Sequence, residues 1–201
     1  RLALEALEEA VRAHPDSARL RHQLAHLDLM SLEDLSRMAA LGVIANLQPA
    51  WFYMDHGFFD SFIPYLGLER ANRMYPIRSL LDAGVRVACG SDWPFGGDNS
   101  NFNPLESIAV GATRTGLGDA LETPYAPEQC VKVSSLINGY TLEAAFSNFM
   151  EDETGSITPG KKADLAVLDR NLPEIPPHEI AGAKVLMTFF EGKPVFRDPS
   201  L

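Results

Sequence analysis

The stretch that decides the fold runs Val85-Arg86-Val87-Ala88-Cys89-Gly90-Ser91-Asp92-Trp93-Pro94. Its short apolar run predicts a buried strand, and the glycine-rich residues 95–101 predict a loop. Asp92 therefore follows the end of a strand, at the edge of a barrel or open α/β sheet where catalytic groups lie. Asp is also common in turns and at helix caps, so this stretch alone leaves that second interpretation open.

The composition argues against several classes of partner. Of the 201 residues, 46% are hydrophobic and 22% are charged, and the formal net charge is −10. Because nucleic acids and anionic membranes attract basic surfaces, we predict neither as a partner. No apolar run approaches the roughly 20 residues that a membrane span needs. The chain begins at Arg1 inside a helical pattern, so we expect the later part of a longer protein.

The two cysteines predict a reducing environment. Cys89 and Cys130 are too few for a disulfide framework, and we therefore expect a cytoplasmic protein. Cys89 lies within the apolar run, which favours a buried thiol.

Residues 1–150 alternate between helical and strand patterns. The predicted helices span residues 2–13, 31–42, 59–66, 69–75, 77–83, 104–114, 127–138 and 141–149. The predicted strands span residues 19–26, with its end near His26, 43–47 and 85–89. This order predicts an α/β fold built from βα units around a parallel sheet. From residue 151 the pattern changes to turns and the short strands 163–169, 185–190 and 195–196, which predict a small β layer over residues 151–201.

His26 and Asp92 are the strongest candidates for chemistry, because both follow an apolar strand. If these strands are parallel neighbours, their ends share one rim and the two side chains can converge. An imidazole and a carboxylate are common ligands of zinc-type ions. Two ligands are fewer than a catalytic zinc usually takes from the protein, so the spacing alone does not establish a site.

Other polar and aromatic residues allow two interpretations each. Gln48 follows the second strand and either binds substrate or anchors a loop. Trp51 and Trp93 either line an apolar substrate pocket or pack loops onto the core. Arg70 and Arg114 either orient acidic groups or form ordinary ion pairs.

Several motifs together resemble one family. They are Gly90-Ser91-Asp92-Trp93-Pro94, the turn and strand of residues 155–169, and the segments 22–27, 42–49 and 66–70. In this order they resemble the metal-dependent amidohydrolase superfamily, in the branch of N-substituted formamide deformylase-like enzymes. The resemblance covers nearly the whole chain.

The resemblance implies a fold and a mechanism. Residues 1–150 would form the C-terminal half of a TIM-like (β/α)8 barrel, and residues 151–201 would supply strands of a small β-sandwich. His26 would be a metal ligand, and Asp92 would contact the metal and carry the proton of the attacking water. The implied cofactor is a divalent metal, zinc in the intact parent, and the implied substrate is a small amide, formamide or N-acyl compound whose C–N bond is hydrolysed.

The family's His-x-His, bridging residue and second barrel histidine have no match in this sequence. We therefore expect the isolated chain to be inactive, and to pair with a copy of itself or with its missing N-terminal half. Three interpretations remain at this stage: an enzyme fragment, a nicked enzyme whose two halves associate, and a non-enzymatic regulatory or binding protein on the same scaffold.

Overall fold

Three short parallel strands carry the residues that the sequence places at a site. The computed structural model describes residues 1–54, 56–95, 102–118 and 123–201, so most of the predicted glycine-rich loop lies outside the described residues. The strands are β1 (Gln23–Ala25), β2 (Ile44–Leu47) and β3 (Val87–Cys89). They hydrogen-bond in the order β1-β2-β3, and both pairings are parallel. β2 is therefore the central strand, and the predicted parallel arrangement is confirmed.

Helices pack around this sheet and give a mixed α/β fold. They are α1 (Leu2–Ala13), α2 (Leu32–Ala40), α3 (His56–Ser61), α4 (Ile63–Leu66), α5 (Leu68–Ala71), α6 (Ile77–Asp82), α7 (Pro104–Thr113), α8 (Val133–Tyr140) and α9 (Leu142–Ser147). Short 3-10 helices span Pro15–Leu20, Pro49–Trp51, Pro127–Gln129, Leu172–Glu174 and Pro177–Gly182.

The α7 helix begins where the sequence predicts. Asn103 is its N-cap, and the Asn103 side chain accepts a hydrogen bond of 3.0 Å from the Leu105 amide. Pro104 occupies the first helical position, where its missing N–H costs nothing. The helix ends at Arg114, whose left-handed φ of 60° stops the helical repeat.

The α8 helix approaches β3 closely at a glycine. A Cβ atom added to Gly139 would lie 2.6 Å from the Cys89 sulfur, so only glycine fits at this crossing. Cys89 is consequently buried between sheet and helix, as the sequence predicts, and burial raises the pKa of its thiol to about 12.

A second sheet contains the C-terminal strands. β4 (Leu165–Leu168), β5 (Val185–Phe190) and β6 (Lys193–Arg197) pair antiparallel in that order. All of β6 is exposed, including the apolar side chains of Val195 and Phe196. The predicted strands are confirmed, although β6 begins two residues earlier than expected.

The helix predicted over residues 59–66 is instead two helices, α3 and α4. Three further predicted elements differ from the structure, each for a physical reason. Residues 19 and 20 belong to a 3-10 helix instead of the strand, because Pro15 fixes the first turn. The helix predicted from residue 69 ends at Ala71, and the Tyr75 amide donates to the Asp28 carbonyl oxygen instead. The helix predicted over residues 127–138 is interrupted after Gln129, whose side chain hydrogen-bonds to Ser79.

Candidate functional site

Three polar side chains follow the three parallel strands at the same edge of the sheet. His26 comes directly after β1, Gln48 directly after β2, and Asp92 three residues after β3. Because β2 lies between β1 and β3, the outer two strands are separated by about 10 Å, twice the ordinary strand spacing. His26 and Asp92 thus flank Gln48 at the carboxyl ends of the strands. We call this edge the rim.

The backbone turns sharply at both outer positions of the rim. His26 has a φ of 67° and Asp92 has a φ of 54°, both in the left-handed region that non-glycine residues seldom adopt. The His26 amide donates to the Asn46 carbonyl oxygen at 2.9 Å, which fixes this turn to β2. Seven other non-glycine residues of the described structure also have a positive φ, so this conformation alone does not mark a site.

The His26 ring uses one of its two nitrogens inside the protein. Nδ1 lies 2.9 Å from the Gln48 Oε1 atom, and Gln48 itself is buried. Within the described residues Nε2 makes no hydrogen bond. A histidine that binds a metal typically donates its other ring N–H to an oxygen, which is the arrangement seen here. Gln48 therefore anchors His26, and the predicted contact of Gln48 with substrate stays a prediction.

The two predicted substrate tryptophans lie in different surroundings. The Trp51 ring stacks on the His26 ring, with centroids 5.3 Å apart and 14° between the planes. Trp93 is 60% exposed and packs edge-on against Phe102 at 6.1 Å. Trp51 therefore lies at the rim beside His26, while Trp93 lies on the surface after β3.

The Asp92 side chain is exposed and makes no hydrogen bond within the described residues. Its carbonyl oxygen accepts from the Phe95 amide at 2.9 Å and closes a turn. The next helix that the structure describes, α7, is capped by Asn103, so Asp92 is not its N-cap. The turn interpretation thus holds for the backbone of Asp92, and its carboxylate is exposed with no partner among the described residues.

Asp28 is a polar residue of this region that sequence reasoning missed. Its Oδ1 atom is buried and has no partner within the described structure. Burial raises the pKa of Asp28, and the nearby His26 ring partly offsets that rise. The sequence contains no signal for this, because Asp28 follows β1 in an ordinary loop.

The two arginines that the sequence offered for acidic groups bind backbone oxygens instead. The exposed Arg70 donates to the carbonyl oxygens of Leu66 and Tyr65. Arg114 is fully buried. Neither arginine forms an ion pair within the described residues, so the ion-pair alternative is not observed there, and a contact of Arg70 with an acidic ligand stays a prediction.

Arg114 is enclosed by carbonyl oxygens and aromatic rings. It donates to the carbonyl oxygens of Tyr125 at 2.9 Å, Tyr75 at 3.2 Å and Met74 at 3.4 Å. Its guanidinium carbon lies 5.0 Å from the ring centroids of both Phe52 and Tyr125. Burial lowers the pKa of Arg114 to about 10, which still leaves it charged at neutral pH.

Two side chains of the rim are of types that bind zinc. Within the described residues, His26 Nε2 and the Asp92 carboxylate make no hydrogen bond, and both are donors that zinc accepts. Among the described residues, no group of three or more His, Cys, Asp or Glu side chains is close enough together to hold an ion. His26 and Asp92 thus have the donor types of metal ligands. In the same part of the chain, no helix is both long and apolar enough to cross a membrane.

Comparisons with known proteins identify the family. Residues 1–196 match the Amidohydrolase family, and the chain belongs to it, as the resemblance predicted. The chain is 30% identical over 192 residues to N-substituted formamide deformylase from Arthrobacter pascens, covering 95% of this chain and 33% of that protein. It is 29% identical over 196 residues to Protein LONG AFTER FAR-RED 3 from Arabidopsis thaliana, covering 97% and 32%. The chain thus spans about a third of these curated relatives.

Solved structures share the fold. A metal-dependent hydrolase from Pyrococcus horikoshii matches with a TM-score of 0.67 and 21% identity, over 86% of this chain and 33% of that one. The E241Q mutant of atrazine chlorohydrolase from Arthrobacter aurescens, solved with zinc and atraton, matches with a TM-score of 0.58 and 23% identity, over 91% and 39%. At these identities the likeness concerns the fold alone.

Proposed function

We propose that this chain is the C-terminal part of a metal-dependent hydrolase that cleaves the C–N bond of a small amide, formamide or N-acyl compound. The observation that carries the proposal is the His26 ring, which is bound at Nδ1 and makes no hydrogen bond at Nε2 with any residue that the structure describes. Membership of the amidohydrolase family and the similarity to a formamide deformylase support the same chemistry.

In the proposed mechanism His26 and Asp92 hold a divalent metal, zinc in the intact protein, together with ligands from outside this chain. When bound, such an ion acidifies water and polarises a carbonyl group. Asp92 takes a proton from the attacking water as the new C–O bond forms. Asp92 then returns that proton to the nitrogen as the C–N bond breaks, which releases an amine and a carboxylic acid.

The substrate is proposed to lie against the exposed part of the Trp51 ring, with Trp93 on the other side of the rim. Trp51 already fixes the orientation of the His26 ring by stacking on it. Gln48 contributes by holding His26 rather than by direct contact with the substrate.

We further propose that residues 1–150 form half of a TIM-like barrel and residues 151–201 part of a β-sandwich. The parallel sheet ends at β1 and β3, and open edges of this kind normally pair with further strands. The chain should therefore associate with a second copy or with the N-terminal half. Light scattering over a wide concentration range tests this, and a monodisperse monomer throughout would contradict it.

The function is tested with the full-length protein that contains this chain, loaded with zinc. A panel of formamides, N-acyl compounds and cyclic imides is assayed for amine release. Activity should disappear in His26→Gln and persist in His178→Gln, a matched change at an exposed histidine near β5. Failure to hydrolyse any member of the panel, with zinc bound, would rule the proposal out.

The second candidate function is a non-enzymatic regulatory or binding protein on an amidohydrolase scaffold. It is favoured by one observation, that the described residues hold no group of three potential metal-binding side chains. The sequence preceding Arg1 in the full protein separates the two. A His-x-His motif after a first strand favours the enzyme, and a strand without it favours the binding protein.

A further inference from the structure

A line of three side-chain amides connects the rim to the opposite end of the parallel sheet. Gln48 Nε2 donates to Asn46 Oδ1 at 3.3 Å, and Asn46 Nδ2 donates to Gln23 Oε1 at 3.2 Å. Gln23 Nε2 then donates to the Ser147 carbonyl oxygen, at the end of α9, at 2.9 Å. At the rim, Gln48 Oε1 meets His26 Nδ1. The line thus joins a backbone oxygen to an imidazole nitrogen.

The backbone oxygen at one end determines the direction of every hydrogen bond in this line. A carbonyl oxygen only accepts, so Gln23 must present its NH2 group to Ser147 and its oxygen to Asn46. Asn46 must then present its oxygen to Gln48. Gln48 must in turn present its oxygen to His26, because its NH2 group is already used. An oxygen facing Nδ1 requires the proton on Nδ1, which leaves Nε2 with a free electron pair.

We propose that Asn46 and Gln23 are positioning residues that fix the Nδ1–H tautomer of His26 through Gln48. The inference rests on the proposed function only in that His26 Nε2 is the atom that would bind metal. A single glutamine would not suffice for this, since its amide can rotate by 180° and face the ring with either end. The line from Ser147 removes that freedom and keeps the metal-binding nitrogen unprotonated before any metal arrives.

The test uses two nearly isosteric changes at Asn46. Asn46→Asp keeps an oxygen for the Gln48 NH2 group and should preserve the tautomer. Asn46→Leu removes the oxygen and allows Gln48 to rotate, which should shift the tautomer ratio toward Nε2–H by about fivefold, the usual equilibrium effect of one hydrogen bond. Gln23→Met, at an exposed site with little risk to folding, should shift the ratio in the same direction and by less.

The measurement is the pair of ring 15N chemical shifts of His26 in the metal-free 201-residue chain. Spectra are recorded near pH 8.5, well above the ordinary histidine pKa of about 6.5, so the ring is neutral. His26→Gln assigns the signals. A purely structural role for Asn46 would not distinguish Asp from Leu in these shifts.

Different outcomes bear on the positioning role of Asn46 and Gln23 and on the proposed function. The positioning role would be overturned by an Nε2–H tautomer in the unmodified chain. It would also be overturned if neither Asn46→Leu nor Gln23→Met shifted the tautomer ratio. An equal shift in Asn46→Asp and Asn46→Leu would overturn it as well. A separate titration with excess zinc concerns the function. This titration uses the full-length protein, because two ligands are too few for the 201-residue chain to hold zinc. If the variants shift the tautomer as expected and zinc leaves the Nε2 signal of the full-length protein unchanged, the positioning role is correct and metal binding by His26 is not.

Discussion

Arg114 and the rim residue His26 share their local conformation and differ in what surrounds their nitrogens. Both have left-handed backbones, with φ values of 60° and 67°. Both contact aromatic rings, Arg114 those of Phe52 and Tyr125, and His26 that of Trp51. Arg114 directs its guanidinium at three backbone oxygens, whereas His26 keeps one nitrogen free within the described structure.

Arg21 shares the backbone conformation and the aromatic contact of both residues, but its charge has a partner. It also has a left-handed φ, of 51°, and its guanidinium lies 3.8 Å from the Phe146 ring centroid. Its charge is paired with the Glu151 carboxylate. A strained backbone beside an aromatic ring therefore does not identify a functional residue in this protein. The proposal for His26 rests instead on its Nε2 atom, which makes no hydrogen bond within the described residues.

The largest expected effect is on stability, at Arg114. Arg114→Ala should lower the free energy of unfolding by about 3–5 kcal/mol, because it leaves a cavity and buried carbonyl oxygens without donors. Arg70→Ala is the matched control, since Arg70 also donates to two carbonyl oxygens but is exposed. It should cost about 0.5 kcal/mol or less. Urea unfolding measures both, and equal losses would show that burial is not what distinguishes them.

The next effect is the pH dependence that arises from the Arg21–Glu151 pair. The hydrogen bonds from Arg21 lower the pKa of Glu151 from 4.5 to about 2. A carboxylate with a lowered pKa stabilises the folded state above pH 4.5 and loses that contribution as the pH falls toward 2. Glu151→Gln should flatten this part of the curve. Urea midpoints between pH 2 and pH 7 test it, and parallel curves for both proteins would contradict it.

A smaller stability effect is expected at His26. His26→Gln should change the free energy of unfolding by about 1 kcal/mol or less, because it removes one hydrogen bond and one ring contact at a half-buried site. The main effect of His26→Gln should instead be the loss of hydrolysis by the full-length protein. A loss of stability as large as that of Arg114→Ala would show that His26 stabilises the fold as Arg114 does.

The smallest expected effect is on the metal content of the 201-residue chain alone. His26 and Asp92 leave most of a coordination sphere to water, so zinc should be nearly absent after dialysis, and the chain should hydrolyse no amide. Asp92→Asn should therefore look the same as the unmodified chain in elemental analysis. Near-stoichiometric zinc that is lost in Asp92→Asn would show that the chain assembles a complete site.

The sequence predicts the rim because the rim depends on local patterns. The apolar runs of β2 and β3 stop at Gln48-Pro49 and at Gly90-Ser91, and parallel pairing then brings the strand ends to one edge. The occurrence of His26 and Asp92 after strands that end at the same edge follows from this parallel pairing. The residue types at strand ends and the C-terminal turn motif were sufficient to identify the family.

The surroundings of the buried polar groups could not be predicted in this way. Arg114 is held by carbonyl oxygens that lie 11 to 40 residues away in the chain, which no local pattern encodes. The backbone of Asp28 is likewise held from a distance, because its carbonyl oxygen accepts from the Tyr75 amide. Gln48 illustrates the same limit, since its role became apparent only with the position of His26.

The close crossing at Gly139 makes Cys89 a reporter of how the sheet opens. With a pKa of about 12, its thiol is nearly all protonated at neutral pH, and thiolate is the form that alkylating reagents attack. Labelling of Cys89 therefore requires α8 to separate from β3, so its rate measures that local opening. Cys130 is only partly buried and offers an internal reference for the same reagent. The ratio of the two labelling rates would report how readily α8 separates from the parallel sheet when a partner, denaturant or metal is added.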